Sequence, residues 1–150
     1  MKKIDFSVQI DAPRLLVFET MVSAPTYEIW TAAFMEGSRY EGSWEQGKKI
    51  RFLGPEPSGM VAEIAANRKG EFISIRHLGS IKDGVEDTES EEVRKWAPCY
   101  EDYSFRDKDG GTEVGIRMDV NPAWEEFMLK AWPLALKKLK ELCESKFAQG

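Results

Sequence analysis

The hydrophobic and polar residues of this chain follow a two-residue period near its start and a helical period at its end. Apolar side chains occupy every second position from Ile4 to Ile10, which predicts a strand with one buried face. Between residues 122 and 147 they recur every three or four positions, which predicts one long amphipathic helix. Pro133 lies inside this segment, so we expect a kink near Leu129. The expected apolar stripe comprises Phe127, Met128, Ala131, Leu134, Ala135, Leu139, Leu142 and Cys143.

Two short helices are predicted between the first strand and the second. Asp11-Ala12-Pro13 supplies a cap and a first-turn proline for one, and the other covers residues 25–34. In the connection 79–98, Asp83-Gly84 begins a loop, and Thr88 with Glu91 forms a capping-box pair that predicts one or two helical turns. Turn signals separate six further segments of strand length, which are 39–44, 48–53, 59–65, 71–78, 99–106 and 112–120.

One helix facing that much sheet predicts an α+β fold. We expect a curved antiparallel sheet of six or seven strands around the long C-terminal helix, in a single domain over residues 1–150. A sheet that wraps around a helix leaves space between the two. The fold class therefore predicts a cavity between the terminal helix and the sheet.

Composition narrows the classes of partner. The net charge of -5 and the lack of a basic cluster argue against nucleic acid. No stretch approaches the roughly 20 apolar residues of a membrane span. Cys99 and Cys143 lack metal or redox spacing, and the opening Met-Lys-Lys leads directly into a strand without an apolar signal segment. We therefore expect a cytoplasmic protein.

Strand alternation places polar side chains on the face that should meet the helix. His77, the single histidine, precedes the long connection, and Glu101 follows it. Antiparallel pairing would bring them together at the mouth of the cavity, with Tyr103 deeper. His77 is then either a general base or ligand contact, or a buried structural histidine satisfied by a carboxylate. The residues expected to bind a ligand are His77, Glu101, Tyr103, Trp30, Phe52, Ile75, Met118, Met128 and Trp132.

Other motifs do not indicate a cofactor. Residues 42–49 approach a phosphate loop, but the final hydroxyl is missing, Trp44 fills the loop, and a strand pattern follows. One histidine is too few for a zinc or mononuclear iron site, so we expect neither a metal nor another cofactor. The five tryptophans either line a pocket or fill the core. The acidic segment 83–92 is interpreted as a solvated flank.

Several motifs occur in the order known from one superfamily. They are Ile10-Asp11-Ala12-Pro13, residues 42–47, Gly59-Met60-Val61, residues 111–114, and a terminal helix with Trp132 ahead of Leu136 and Leu139. In these features the chain resembles the SRPBCC proteins of the START-like, or Bet v1-like, superfamily, and most closely the branch named after activators of the heat-shock protein 90 ATPase. The resemblance implies the helix-grip fold. Members of the superfamily include ligand carriers, aromatic cyclases and hydroxylase oxygenase domains.

Three functions stay open at this point. The first is a module that binds a small, largely apolar molecule in the cavity. The second, implied by the resemblance, is a co-chaperone that binds an ATPase of the heat-shock protein 90 type. The third is a cyclase or hydrolase that uses acid-base groups of the cavity. A homodimer is also compatible with the sequence.

Overall fold

The segments with a two-residue period form strands, and the segments with a helical period form helices around them. A computed structural model describes residues 1–149. The strands are β1 Lys2–Ile10, β2 Arg39–Gly42, β3 Lys49–Leu53, β4 Gly59–Arg68, β5 Phe72–Lys82, β6 Val85–Asp87, β7 Cys99–Lys108 and β8 Gly111–Val120. The helices are α1 Arg14–Val22, α2 Ala24–Trp30, α3 Glu91–Arg94 and α4 Pro122–Ala148, with a 3-10 turn at Thr31–Ala33.

All strand pairs are antiparallel, and the order across the sheet is β1-β8-β7-β5-β4-β3-β2. The N-terminal strand β1 pairs with β8 along its whole length, from Lys2 opposite Val120 to Ile10 opposite Thr112. The short strand β6 pairs only with β5. The sheet is curved and holds α4 against one face, which confirms the predicted α+β helix-grip fold.

One stripe of α4 is buried against this face. Trp132, Ala135, Leu136, Leu139 and Cys143 are nearly or fully buried and belong to the main core cluster. Each fully buried large apolar side chain stabilises the fold by roughly 1.5–3 kcal/mol. The helix is continuous through Pro133. The kink near Leu129 stays a prediction.

The predicted stripe on α4 is wrong at two positions. Phe127 is 42% exposed and Leu134 is 61% exposed. Leu134 lies two residues from both Trp132 and Leu136, and two residues turn an α-helix by about 200°. Because Trp132 and Leu136 face the sheet, Leu134 must face away from it.

The sheet has eight strands, whereas the sequence predicts six or seven. The additional strand is β6, which forms a hairpin with β5 through Asp83 and Gly84. Both turn residues have positive φ, 51° and 81°, as a tight two-residue hairpin turn requires. The Asp-Gly pair therefore closes a hairpin instead of opening a loop. The helical turn expected in this connection is confirmed as α3, but Ser90 caps it by accepting from the Val93 amide.

The junction between α1 and α2 is held by side chains. The carbonyl of Met21 has no helical donor four residues later, because that residue is Pro25. The indole N–H of Trp30 donates to this carbonyl at 3.1 Å. The hydroxyl of Tyr40 donates to the next carbonyl, that of Val22. These bonds fix the face of α2 that meets the sheet.

Candidate functional site

A cavity of about 210 Å³ lies between α4, α2 and the concave face of the sheet. Its wall is mostly aromatic and aliphatic, with a small polar group at β5 and β7. All nine residues that the sequence placed at a cavity line this one. That they bind a ligand stays a prediction. They are Trp30, Phe52, Ile75, His77, Glu101, Tyr103, Met118, Met128 and Trp132.

The polar group consists of three side chains, which we call the His77 cluster: His77, Glu101 and Tyr103. His77 Nε2 lies 3.1 Å from Glu101 Oε1, and the Tyr103 hydroxyl donates to Glu101 Oε2. In the register of β5 and β7, His77 lies opposite Cys99 and Glu101 lies opposite Ile75. The histidine and the carboxylate are therefore diagonal neighbours on one face, which is within reach of long side chains.

The hydrogen bonds within the His77 cluster use its donors, so the remaining hydrogen-bonding capacity of the cluster is mostly that of acceptors. An ionised carboxylate accepts and cannot donate, and Glu101 receives Tyr103 at one oxygen and faces His77 at the other. If Nε2 of His77 carries the hydrogen toward Glu101, its Nδ1 presents a lone pair. That Nδ1 is buried and has no hydrogen-bond partner within residues 1–149. Because Nδ1 is buried while 18% of the Glu101 side chain is accessible, Glu101 is the acceptor of the cluster that a bound molecule can reach.

The charge of Glu101 reaches other groups around the cavity. Burial, and then the charge of Glu101, raises the pKa of Tyr27 far above its ordinary value. The same two causes, in the same order, raise the pKa of the Cys99 thiol to about 12. Each group would become an anion on losing its proton, so a nearby carboxylate favours the protonated form. The interior next to Glu101 therefore disfavours a second anion.

The aromatic wall centres on Trp132. Its ring lies 4.8 Å from that of Phe34, 6.1 Å from that of Trp30 and 6.1 Å from that of Tyr103, as centroid distances. Such contacts favour edge-to-face and offset packing of the rings. The indole nitrogen of Trp132 is buried without a hydrogen-bond partner in the described part of the chain, as is that of Trp44.

The tryptophans divide between two roles. Trp30, Trp44 and Trp132 line the cavity, and Trp30 and Trp132 also belong to the core. Trp124 is 58% exposed on α4 and lies outside the cavity wall. Pocket lining and core packing are therefore not alternatives for Trp30 and Trp132.

Sequence reasoning missed six residues of the cavity wall. Four of them could have been found. Residues 27, 30, 31 and 34 follow the i, i+3, i+4, i+7 spacing of one helical face, and Trp44 is one of the tryptophans considered for a pocket. Met60 lines the cavity because it lies directly opposite Phe52 in the register of β3 and β4. Alternation along either strand alone does not give that register. The six are Tyr27, Thr31, Phe34, Ser38, Trp44 and Met60.

Two further observations concern metal binding and membrane-spanning helices. Among residues 1–149, no group of three or more histidine, cysteine, aspartate or glutamate side chains is arranged to hold a metal ion. None of the helices described is both long and apolar enough to cross a bilayer.

Comparison with known proteins identifies the architecture. No family model and no curated protein matches the sequence. Solved structures do match. Protein CV1439 from Chromobacterium violaceum has a TM-score of 0.67 at 17% identity, covering 96% of this chain and 99% of that one. The Aha1 dimer from Colwellia psychrerythraea has a TM-score of 0.70 at 13% identity, covering 96% and 97%.

A third structure is larger than this chain. DynU16, described as a putative protein in the dynemicin biosynthetic locus, has a TM-score of 0.68 at 15% identity. The match covers 98% of this chain and 49% of that one. These identities are low, so they establish the shared fold. The chain therefore shares the helix-grip fold with these structures.

Proposed function

We propose that the protein binds a small, largely apolar molecule in the cavity between α4 and the sheet. The observation that carries the proposal is the combination of an aromatic wall with the His77 cluster in one cavity. Ligand sites have this composition in general, with apolar surface for affinity and a few polar groups for orientation. Cys99 and Cys143 are free, which fits the cytoplasmic location that we propose.

The volume of the cavity limits the size of the molecule. Sites for drug-sized ligands span about 300–1,000 Å³, and an engineered cavity of about 150 Å³ binds benzene. At about 210 Å³, this cavity suits one ring with a short substituent. The ring would lie against Trp132 and Phe52, and the substituent would extend to the His77 cluster.

Methionine methyl groups offer a direct test of this proposal. Met60, Met118 and Met128 line the cavity, whereas Met1 and Met35 lie outside it and are each 56% exposed. The test is titration with phenethyl alcohol, observed by NMR on isotope-labelled methionine methyl groups. We expect the three cavity signals to shift together and to saturate, while the signals of Met1 and Met35 stay in place.

A matched pair of variants links those shifts to the cavity. Ile75 lines the cavity and is 1% exposed, whereas Ile29 lies on α2 and is 44% exposed. Ile75→Phe should fill part of the space and abolish the shifts, and Ile29→Phe should preserve them. Saturable binding that persists unchanged in Ile75→Phe would place the ligand elsewhere. Absence of shifts in the unmodified protein with phenethyl alcohol and with phenethylamine alike would contradict the proposal.

A co-chaperone is the second candidate. It is supported by the sequence resemblance to the branch named after activators of the heat-shock protein 90 ATPase and by the structural likeness to the Aha1 dimer. Such a role, and a homodimer, would use the outer surface, where Trp124, Phe127 and Leu129 of α4 are exposed. The test is the ATPase rate of a purified heat-shock protein 90 with this protein added. Stimulation that Ile75→Phe leaves unchanged would favour this candidate.

A further inference from the structure

We propose that the bound molecule carries an amine, present as an ammonium group, at the end that meets the His77 cluster. The inference rests on the proposed function and specifies the ligand class as a small aromatic or apolar amine. Two features of the cavity carry it: the balance of charged groups in the wall and the aromatic faces.

The charged groups in the wall favour a cation. Glu101 is the single carboxylate among the lining residues, and neither lysine nor arginine lines the cavity. Two arginines of the neighbouring strands lie on the opposite face, where Arg76 opposes Tyr100 and Arg117 opposes Asp102. Asp5 is the ion-pair partner of Arg117, at 3.8 Å. Glu101 therefore has no fixed cation beside it in the cavity.

His77 is the single lining residue that can carry a positive charge. A neutral imidazole that donates from Nε2 to Glu101 leaves its Nδ1 as an acceptor. An ammonium ligand would favour this neutral form, because a second cation beside the first is disfavoured. Glu101 would then accept from the amine. A carboxylate ligand would instead meet Glu101 as a like charge.

The aromatic rings add a second attraction for a cation. The faces of Trp and Tyr rings attract a cation within about 6 Å, by an amount that corresponds to a few-fold to about 30-fold in affinity. Tyr27, Trp30, Trp44 and Trp132 line this space together. An ammonium group could therefore move between ring faces and the carboxylate without leaving a favourable environment.

Three probes of similar shape separate charge from size. They are phenethylamine, phenethyl alcohol and hydrocinnamate, which end in an ammonium, a hydroxyl and a carboxylate. Calorimetric titration at neutral pH should give phenethylamine about tenfold tighter binding than phenethyl alcohol, and hydrocinnamate the weakest binding. If the alcohol or the carboxylate binds as tightly as the amine, the cavity binds ligands but the charge inference is wrong. If none binds at millimolar concentration, the proposed function fails as well.

Variants of adjacent residues isolate the role of the carboxylate. Glu101→Gln keeps the shape and removes the charge, and Asp102→Asn makes the same change on the opposite face of β7. The preference for the amine over the alcohol should fall about tenfold in Glu101→Gln and persist in Asp102→Asn. A preference that survives Glu101→Gln, or that disappears equally in both variants, would overturn the inference. The comparison of probes on the unmodified protein decides the question even if a variant unfolds.

Discussion

His77 and Glu101 contact each other diagonally across β5 and β7, with Nε2 of the imidazole 3.1 Å from Oε1 of the carboxylate. The two residues lie on either side of a connection that contains β6 and α3. The hairpin and the helix return the chain so that β7 pairs with β5. The sheet, not proximity in sequence, thus brings the imidazole and the carboxylate together in a mostly apolar cavity.

Replacement of His77 should weaken binding more than it affects folding. We expect His77→Ala to lower affinity for phenethylamine by about tenfold, because the partner that holds Glu101 Oε1 in place is lost, and to destabilise the fold by about 1–3 kcal/mol. The control is Ser74→Ala, which changes the outer face of the same strand, where Ser74 donates to Asp102. Titration calorimetry and urea unfolding measure the two effects. Equal affinities for His77→Ala and the unmodified protein would remove the His77 cluster from recognition.

Trp30 and Trp132 should respond differently to the same substitution. Both are 2% exposed, but the indole N–H of Trp30 donates to the Met21 carbonyl, whereas that of Trp132 has no partner within residues 1–149. Trp30→Phe leaves a buried carbonyl unsatisfied, and Trp132→Phe removes an unsatisfied donor. Trp30→Phe should therefore destabilise the fold by about 1–3 kcal/mol more than Trp132→Phe, as urea unfolding would show. The reverse order would mean that the indole of Trp132 has a stabilising polar partner.

Glu86 should make stability depend on pH in the acid range. Its hydrogen bonds to Lys49 and Arg51 hold the pKa of this carboxyl below its ordinary value. A pKa lowered by folding stabilises the folded state above the unfolded-state pKa, and this contribution is lost as pH falls through the folded-state value.

Glu86→Gln should therefore cost about 1 kcal/mol or less at neutral pH, and the difference from the unmodified protein should disappear in acid. Thermal unfolding at several pH values measures it. Glu89→Gln is the control, because Glu89 is exposed and makes no ion pair among the residues described. A stability difference between Glu86→Gln and the unmodified protein that stays constant down to the lowest pH would contradict this explanation.

The two cysteines should be unreactive while the protein is folded. Burial is the main cause that raises the pKa of Cys99 to about 12 and that of Cys143 to about 11. Thiolate is the reactive form, so both should react with an aromatic disulfide reagent roughly a hundredfold or more slowly than free cysteine at neutral pH. Unfolding by denaturant should make both thiols reactive at the same time. Rapid reaction of one cysteine in the folded protein would show that its surroundings open locally.

Alternation along the strands is enough to predict the centre of the candidate site. The backbone of a strand sends successive side chains to opposite faces, so the sequence alone places His77 and Glu101 on the same face as Ile75 and Tyr103. The long connection between the two strands indicates which pair meets. Their position around a cavity follows from the fold class.

The parts that could not be predicted depend on tertiary packing. Met60 reaches the cavity through its pairing with Phe52, and pairing register is a property of two strands. Leu134 fits a helical stripe, but the face of α4 that packs on the sheet is the one with Trp132 and Leu136. Leu134 is therefore exposed. The volume left open between α4 and the sheet depends on the curvature of the sheet, which no local pattern specifies.

A crystal structure of the protein grown with phenethylamine would test the central claim most directly. The account predicts difference density for one ring against Trp132 and Phe52, with the amine nitrogen within hydrogen-bond distance of Glu101 and the helix α4 in its present place. An interior fully packed by protein side chains, with the His77 cluster turned toward solvent and no density between α4 and the sheet, would contradict it.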